Sequence, residues 1–252
     1  MKLYEVFDIT SCEKAAVCLV GGGGKTSTLF ALAEELKALD KNVLVTTTTA
    51  ICNPEAEVYD ELIVGSWQKN KEGVTAGITV WGREISKENK LLGMDKSKID
   101  WVYDQNIFST ILIEGDGSKG RPIKAPAEYE PVIPDCTTHV VGVIGMDALK
   151  KPIDAEFVHR PEWFCQVTGK ELSEPIEEET VCKLIIDEGG LFKGAPEGIK
   201  KYVLLNKADD QDQRDVAQRI VKLVLETGYP LAGIIIASIG LGQIYRKWGG
   251  HR

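Results

Sequence analysis

A glycine-rich stretch near the N-terminus, Leu19-Val20-Gly21-Gly22-Gly23-Gly24-Lys25-Thr26-Ser27, decides the fold of this chain. An apolar run, residues 15–20, precedes it, and a run of helix-forming residues, 28–36, follows it. A strand, a glycine loop, a Lys-Thr pair and a helix in this order are typical of a cradle for nucleotide phosphates. The stretch therefore predicts binding of a nucleoside triphosphate.

The residue types in this stretch suit an anion. Glycines let the backbone turn its amides inward around a phosphate, and the helix N-terminus adds the positive end of its dipole. Lys25 adds a full charge, and the Thr26 hydroxyl is suited to a phosphate-bound magnesium ion. The usual G-x-x-x-x-G-K-[ST] spacing would place a glycine at position 19, where this chain has leucine. The alternative is a plain glycine turn. The predicted phosphate-binding residues are Gly21, Gly22, Gly23, Gly24, Lys25, Thr26 and Ser27.

Length and composition set the class of protein. The 252 residues are 43% hydrophobic and 27% charged, which is ordinary for a soluble globular protein with a sizeable core. The net charge of −8 disfavours binding to nucleic acid or to an anionic membrane surface. No stretch approaches the roughly 20 apolar residues that cross a bilayer, and the N-terminus does not resemble a secretory signal. We therefore expect a cytoplasmic protein whose six scattered cysteines are reduced.

Apolar runs alternate with helical patterns along the chain. This alternation predicts an α/β, P-loop NTPase-like three-layer fold with a mostly parallel sheet. The runs are rich in Val, Ile and Leu without alternation, as in strands that are buried on both faces. The predicted strands are residues 15–20, 42–47, 110–113, 139–144, 202–205 and 233–237, and the predicted helices are residues 26–39, about 177–187, and 211–227.

The domain organisation is predicted to be a single P-loop NTPase-like domain over residues 1–252. The segment at about 65–105 has short apolar runs, is more polar than its surroundings and contains several glycines. Within it, residues 77–82 resemble a small strand or one arm of a hairpin. We interpret the segment as an insertion that forms a lid or a partner surface, with plain decoration as the alternative.

A second motif, Asn206-Lys207-Ala208-Asp209, follows the apolar run at 202–205. N-K-x-D after a late strand is the guanine-reading motif of GTP-binding proteins. The Asp209 carboxylate can accept hydrogen bonds from N1–H and the 2-amino group of guanine, whereas adenine would leave it unpaired. Asn206 would hold the loop and meet the major edge of the purine, and the stem of Lys207 would lie over the ring. The alternative is a loop that caps the helix beginning near residue 211.

Two carboxylates, Glu114 and Asp116, follow the apolar run at 110–113. Such sites need an acidic element that orients magnesium or the attacking water. Because an extended backbone alternates its side chains, residues two apart point the same way. We therefore predict Lys25, Glu114 and Asp116 as catalytic, and Thr26, Glu114 and Asp116 as the Mg²⁺ site, without a choice between the two carboxylates. The alternative is a solvated acidic turn.

Two further groups of polar residues lie near the predicted strand ends. The hydroxyls of Thr46-Thr47-Thr48-Thr49 fall where ligands bind in open α/β sheets, although threonine is also a common strand residue. Three cations, Lys119, Arg121 and Lys124, follow the carboxylates and can bind an anionic small-molecule cargo or neutralise phosphate. The His159-Arg160-Pro161-Glu162 cluster fits both a functional and a structural role.

The long motifs occur in a definite order along the chain. They are Val20-Gly21-Gly22-Gly23-Gly24-Lys25-Thr26, Val45-Thr46-Thr47-Thr48-Thr49, Glu114-Gly115-Asp116-Gly117-Ser118-Lys119, residues 124–134 (KAPAEYEPVIP), Val143-Ile144-Gly145-Met146-Asp147, Val158-His159-Arg160-Pro161-Glu162 and Asn206-Lys207-Ala208-Asp209. Over residues 15 to 240, this set resembles the YqeC family, accessory proteins of selenium-dependent molybdenum hydroxylases. The resemblance implies a P-loop protein that helps to make or insert a selenium-containing molybdenum cofactor, with a molybdenum hydroxylase as partner.

The leading hypothesis is a magnesium-dependent nucleotidase that uses GTP, or ATP, in maturation of that cofactor or enzyme. A second hypothesis is a phosphoryl or nucleotidyl transferase of the same pathway, with its acceptor held by Lys119, Arg121 and Lys124. A third is a nucleotide-gated binding protein that does not hydrolyse. Release of free phosphate without a second substrate distinguishes the first hypothesis from the others.

Overall fold

Non-alternating apolar runs form the centre of a mostly parallel sheet, as expected for strands covered on both faces. The computed structural model describes residues 1–67 and 77–249, and these contain a nine-stranded sheet in the order β13-β12-β11-β9-β1-β7-β2-β5-β4. All neighbours in it are parallel except β12 and β13. Its strands are β1 (Ala15–Gly21), β2 (Asn42–Thr47), β4 (Glu61–Val64), β5 (Gly77–Gly82), β7 (Thr110–Glu114), β9 (His139–Gly145), β11 (Lys200–Asn206), β12 (Gly233–Ser238) and β13 (Gln243–Gly249).

Two small sheets lie beside the main one. An antiparallel pair consists of β3 (Ala50–Cys52) and β6 (Lys90–Leu92). A parallel pair consists of β8 (Ile123–Lys124) and β10 (Val158–His159). Both pairs supply residues to the cavity described below.

Helices cover both faces of the main sheet. They are α1 (Leu3–Val6), α2 (Lys25–Lys37), α3 (Lys96–Asp104), α4 (Pro161–Thr168), α5 (Glu178–Ile186) and α6 (Gln211–Glu226). Val17 and Leu19 of β1 belong to one apolar cluster with residues of α1 and α2. Cys18 and Val20 belong to another with residues of α3, α4, α5 and α6. The alternating side chains of β1 thus face two helical layers, and the predicted three-layer α/β fold is confirmed.

The strand register brings several carboxyl ends to one edge of the sheet. Leu19 and Thr47 both pair with Glu114, and Gly21 pairs with Val143. On the next strand, Asn206 pairs with Gly145. Ligands of open α/β sheets bind at this edge, and the glycine loop and the N-K-x-D segment both begin there.

The segment at about 65–105 contributes to the main sheet. Residues 77–82 form β5, which pairs in parallel with β2 on one side and β4 on the other. Ile99 and Val102 of α3 are fully buried in the core. Residues 77–82 therefore form a strand, which is one of the two predicted alternatives, and not a hairpin arm, because both of its pairings are parallel. The insertion or lid at about 65–105 stays a prediction. Residues 68–76 lie outside the described residues, and the single-domain prediction stays a prediction.

Within residues 1–67 and 77–249, no helix combines the length and the apolar character needed to cross a bilayer.

Candidate functional site: the glycine loop and its cavity

The first three glycine amides of the loop are bonded inside the protein. Gly21 N–H donates to both carboxylate oxygens of Asp116 at 3.1 Å, Gly22 N–H to the Val143 carbonyl at 2.9 Å, and Gly23 N–H to the Arg121 carbonyl at 3.0 Å. These amides have no hydrogen left for a ligand. The expectation that Gly21, Gly22 and Gly23 turn their amides toward an anion is therefore not the arrangement found.

The loop requires glycine at two positions because neighbouring atoms approach its backbone closely. Gly23 has a φ of 81°, and a Cβ on it would lie 2.1 Å from the Gly145 nitrogen. Gly24 has a φ of 117°, and a Cβ there would lie 2.5 Å from Nδ2 of Asn206. A side chain would meet both a strained backbone conformation and a neighbour at each position. The loop is thus packed tightly against the ends of β9 and β11.

The backbone amides without a hydrogen-bond acceptor are those of the next residues, 24–27, where α2 begins. The backbone N–H groups of residues 24–27 have no acceptor among the described residues, as expected for the first turn of a helix. These residues line a cavity of about 570 Å³. A helix N-terminus with unpaired amides is an anion-binding position, since the amides point at the ligand and the dipole favours negative charge. Gly24, Lys25, Thr26 and Ser27 thus line the cavity with unpaired amides, and their binding of phosphate stays a prediction.

Lys25 lies among the carboxylates and is only 3% exposed. Its ammonium donates to the Gly21 carbonyl at 2.6 Å and lies 3.2 Å from Asp116 and 3.8 Å from Glu114. Burial lowers the pKa of Lys25, but the charges of Asp116 and Glu114 outweigh burial and raise it above its ordinary value. Lys25 therefore keeps its positive charge at the base of the loop.

Glu114 and Asp116 both reach Lys25, but their other contacts differ. Glu114 accepts a hydrogen bond from the Thr26 hydroxyl at 2.6 Å and lines the cavity. Asp116 accepts from Gly21 N–H and is paired with Lys124 at 3.2 Å, so both of its oxygens are engaged internally. Burial raises the pKa of Glu114 above its ordinary value, although Lys25 and Thr26 act in the opposite direction. This places Glu114, rather than Asp116, beside the hydroxyl predicted to ligate magnesium.

The threonines after β2 support the Glu114 backbone. The Thr47 hydroxyl donates to the Glu114 carbonyl at 2.9 Å, and Thr48 N–H donates to the same oxygen at 3.1 Å. Thr46 donates instead to the Trp81 carbonyl at 2.8 Å. Thr49 is the member of this run that lines the cavity. The first three hydroxyls are thus used to hold strand ends rather than a ligand.

The three cations predicted to bind an anionic cargo are separated. Lys124 is 1% exposed, and its ammonium donates to the Gly117 carbonyl at 2.8 Å and to Glu130 at 2.6 Å and is ion-paired with Asp116 at 3.2 Å. Arg121 donates through Nε to the Ala155 carbonyl at 2.7 Å and does not line the cavity, whereas Lys119 does. Of the three, Lys119 alone is placed to meet a ligand in this cavity.

Buried charges of alternating sign continue from Lys124. Glu130, 6% exposed, is paired through Oε2 with Lys124 at 2.6 Å and with Arg160 at 2.5 Å. Burial raises the pKa of Glu130, but Lys124 and Arg160 outweigh it and the pKa is lowered. Arg160 also donates to the Tyr129 hydroxyl at 2.8 Å, and Glu130, His159 and Arg160 line the cavity. Sequence reasoning missed Glu130 and left Arg160 ambiguous, because only the fold brings both to Lys124.

The N-K-x-D segment joins the glycine loop to the end of β12. The Asn206 amide donates to the Gly23 carbonyl at 2.8 Å, and its oxygen accepts from Ile239 N–H at 3.0 Å. Lys207 lines the cavity and is paired with Asp147 at 2.7 Å. Asp209 is exposed and accepts a hydrogen bond from the Ser238 hydroxyl through one carboxylate oxygen. Ser238 is a supporting residue that sequence reasoning did not find.

Comparison with known proteins places the chain in a family. The profile of the family described as YqeC protein matches residues 17–162. A protein of Escherichia coli (strain K12) named "Uncharacterized protein YqeC" is 32% identical over 241 residues, which cover 95% of this chain and 91% of the relative. The chain belongs to the YqeC family. The predicted resemblance is thus confirmed.

The YqeC profile covers one part of the site and not the other. Residues 17–162 include the glycine loop, both carboxylates and the charges from Lys124 to Arg160. The N-K-x-D segment lies beyond residue 162, within the reach of the full-length YqeC relative. The part of the cavity formed by these residues is therefore the part that coincides with the YqeC family profile.

Proposed function

We propose that this protein is a magnesium-dependent nucleotidase that binds GTP, with the nucleotide phosphates at the start of α2. One observation carries the proposal: the amides of residues 24–27 lack acceptors and line a 570 Å³ cavity together with buried Lys25. Unpaired amides at a helix N-terminus beside a retained ammonium favour a polyanion.

The residues around the amides have distinct tasks in this proposal. Lys25 neutralises phosphate charge, and the Thr26 hydroxyl and the Glu114 carboxylate, 2.6 Å apart, hold Mg²⁺ together with phosphate oxygens. The described residues contain no group of three or more His, Cys, Asp or Glu side chains suited to a metal, so phosphate oxygens are needed to complete the site. When bound, Mg²⁺ supplies charge stabilisation at the transferred phosphoryl group. Asp116 keeps Lys25 and the Gly21 amide in position.

Guanine selection is assigned to the loop after β11. Ser238 holds one oxygen of Asp209, which fixes the carboxylate, and the residue is exposed. Asn206 ties this loop to the Gly23 carbonyl, so the base-reading and phosphate-binding segments are held together. A fixed carboxylate discriminates guanine from adenine because adenine offers it no pair of donors.

The pathway assignment rests on the family. The motifs resemble those of accessory proteins of selenium-dependent molybdenum hydroxylases, and the chain is a YqeC family member. We therefore propose that nucleotide hydrolysis serves the maturation of a selenium-containing molybdenum cofactor or enzyme, with the hydroxylase as partner. A transferase of the same pathway is the second candidate, favoured by the extension of the cavity beyond the loop to His159 and Arg160.

Calorimetric titration with non-hydrolysable GTP and ATP analogues, each with Mg²⁺, tests the proposal. We expect preference for the guanine analogue and a roughly 10- to 100-fold loss of that preference in Asp209→Asn, since hydrogen bonds to a charged group contribute about 1.5–3 kcal/mol. Asp212→Asn, at an exposed position of α6, is the matched control. Equal binding of both analogues would refute guanine reading, and binding of neither would refute the nucleotide site.

Phosphate release separates the two candidate functions. A nucleotidase releases phosphate from GTP with Mg²⁺ alone, whereas a transferase requires an acceptor. A protein that binds the analogue but releases no phosphate, alone or with the partner, would be a nucleotide-gated binding protein.

A further inference from the structure

The charge lining the cavity is opposite to that of the whole protein. Among the described residues, the cavity is lined by two carboxylates, Glu114 and Glu130, and by five basic side chains: Lys25, Lys90, Lys119, Arg160 and Lys207. The excess of three positive charges occurs in a chain with a net charge of −8. A concave site of one sign concentrates ligands of the other, so the cavity is built for anions.

The cations of the cavity come from different segments of the chain. Lys25 belongs to the glycine loop after β1, and Lys207 follows β11. Lys119 and Arg160 follow β7 and β10 instead. Lys119 has no carboxylate within 4 Å in the part of the chain that the structure describes, so its charge is uncompensated. Lys119 and Arg160 thus line the cavity from segments other than the glycine loop, and the charges of both act on His159.

Arg160 is held in a fixed position with donors to spare. Nη1 donates to Glu130 at 2.5 Å and Nη2 donates to the Tyr129 hydroxyl at 2.8 Å. Two of its five N–H groups are thereby used, which leaves three for a ligand. Glu130 is itself held by the buried Lys124, so the guanidinium is supported from behind. A guanidinium oriented in this way is suited to planar, two-point contact with a phosphate or carboxylate.

His159 provides a polar group that lacks a protein partner. Its side chain lines the cavity, the residue is 8% exposed, and its ring has no hydrogen-bond partner among the described residues. Burial and the charges of Lys124 and Arg160 lower the pKa of His159 to about 4, so the ring is neutral at pH 7. A neutral imidazole has one N–H donor and one acceptor nitrogen, and here both are available to a ligand in the cavity.

We infer that Lys119, His159 and Arg160 form a second subsite that binds the phosphate group of another small molecule beside the nucleotide. The inference deepens the proposed function, since it takes the amides of residues 24–27 to be occupied by the nucleotide. It replaces the sequence expectation of an anion held by Lys119, Arg121 and Lys124, because neither Lys124 nor Arg121 lines the cavity. The phosphate group can be free or part of an ester.

The test is calorimetric titration of the full chain, saturated with Mg²⁺ and a non-hydrolysable GTP analogue. Inorganic phosphate and glycerol 3-phosphate are the two probes, and tighter binding of one identifies the source of the group. We expect saturable 1:1 binding that weakens at least roughly tenfold in Arg160→Gln, as expected for loss of a charge-assisted contact. Lys119→Gln, at an exposed position, should weaken it as well without affecting the fold. Arg160→Lys, which keeps the charge but not the fork, should give an intermediate affinity.

The controls separate this inference from the proposed function. Lys87→Gln changes an exposed lysine outside the cavity and should leave probe affinity unchanged. Displacement of the analogue by the probe, or probe binding that Arg160→Gln and Lys119→Gln do not alter, would overturn the second subsite while analogue binding stands. If the analogue itself does not bind, the proposed function fails. Probe binding to the ligand-free protein that depends on Arg160 and Lys119 would then support the subsite alone, and its absence would overturn both.

Discussion

Lys25 is the residue at which the charges of the site converge. Its ammonium lies within 4 Å of both Glu114 and Asp116, yet the surroundings of the two carboxylates give them different tasks. Asp116 is enclosed by Lys25, Lys124 and the Gly21 amide, whereas Glu114 meets the Thr26 hydroxyl at the cavity. At the scale of single residues, Asp116 is therefore engaged within the protein, whereas Glu114 lines the cavity.

Amide substitutions distinguish these tasks. Asp116→Asn leaves Lys25 and Lys124 short of a buried counter-charge and should lower the free energy of unfolding by about 3–5 kcal/mol. Glu114→Gln should leave that free energy unchanged or raise it slightly, because the raised pKa of Glu114 shows that the fold favours its neutral form. It should instead abolish the effect of Mg²⁺ on analogue binding. Urea unfolding and calorimetry with and without Mg²⁺ measure the two effects. Loss of stability in Glu114→Gln, together with loss of the Mg²⁺ effect in Asp116→Asn, would exchange the assigned roles.

The raised pKa of Glu114 also predicts a pH dependence of Mg²⁺ affinity. Mg²⁺ requires the ionised carboxylate, and burial makes this group take up its proton at a higher pH than an ordinary glutamate, whose pKa is 4.5. Mg²⁺ affinity should therefore fall as the pH falls, beginning above the ordinary glutamate range. Mg²⁺ titrations of the analogue complex across this range measure the decline. An affinity that stays constant down to pH 4.5 would contradict the assignment.

Much of the candidate site could be predicted from residue types. The rest depends on contacts between distant segments that only the fold brings together. Lys25, Thr26 and Glu114 follow from motif and spacing. The internal use of the Gly21, Gly22 and Gly23 amides could not be predicted, because their acceptors come from distant parts of the chain. The pairing of Lys124 with Asp116 and Glu130 could not be predicted for the same reason.

At the scale of elements, the glycine loop and the first turn of α2 act as one unit. The loop is held by its own amides, by the end of β9 and by Asn206 after β11. The adjoining amides of residues 24–27 remain unpaired. The anion position therefore exists before a ligand arrives, and little backbone ordering is needed on binding.

Two glycines with similar backbone angles test the packing of the loop. Gly23→Ala places a Cβ 2.1 Å from the Gly145 nitrogen at a φ of 81°. It should lower the free energy of unfolding by roughly 3 kcal/mol or more, from overpacking added to conformational strain. Gly228→Ala has a φ of 70° with open space around the new methyl group, and should cost only about 1–2 kcal/mol. Equal losses of unfolding free energy in the two variants, measured with urea, would mean that the loop shifts easily to accommodate the new methyl group at position 23.

Asn206→Ala tests the link between loop and base-reading segment. The substitution removes the bonds to the Gly23 carbonyl and to Ile239 N–H. We expect GTP and ATP analogues to weaken together, because a shared support of the loop is lost. Asp209→Asn, in contrast, should weaken the guanine analogue selectively. Calorimetry on both variants measures the difference, and a guanine-selective effect of Asn206→Ala would assign Asn206 to the base instead.

The buried strands were the elements most open to prediction. All six predicted strands lie within strands of the main sheet, because each is a short apolar run between turn signals. β4 and β13 were missed, since edge strands have partly exposed side chains and lack a continuous apolar run. β5 was predicted as a small strand or a hairpin arm, and its place between β2 and β4 could not be predicted, because these parallel pairings join residues distant in sequence.

At the scale of the whole molecule, two buried histidines connect stability to pH. Burial and the charge of Lys200 lower the pKa of His139 to about 4, and that of His159 is lowered to a similar value. Both are neutral in the folded protein at pH 7. Since the unfolded chain binds protons near pH 6.5, these groups reduce stability as the pH falls from about 6.5 to about 4.

The histidine effect is measurable as a slope. One proton taken up on unfolding changes the free energy of unfolding by about 1.4 kcal/mol per pH unit. His139→Phe keeps an aromatic ring facing Tyr202 but removes one titrating group. Urea unfolding between pH 6.5 and about 4 should therefore show a slope shallower by up to this amount than in the unchanged protein. An identical slope would mean that His139 is protonated in the folded state.

A run of charged residues should constrain how sequences of the family vary. Its members are Lys25, Asp116, Lys124, Glu130 and Arg160. Each member contacts the next, and the middle three are buried, so loss of one charge leaves a neighbour uncompensated. Substitutions at these positions should therefore be inherited together rather than singly. In an alignment of relatives, a neutral residue at position 124 should coincide with neutral residues at 116 or 130. Independent variation at these positions would show that the charges evolve separately.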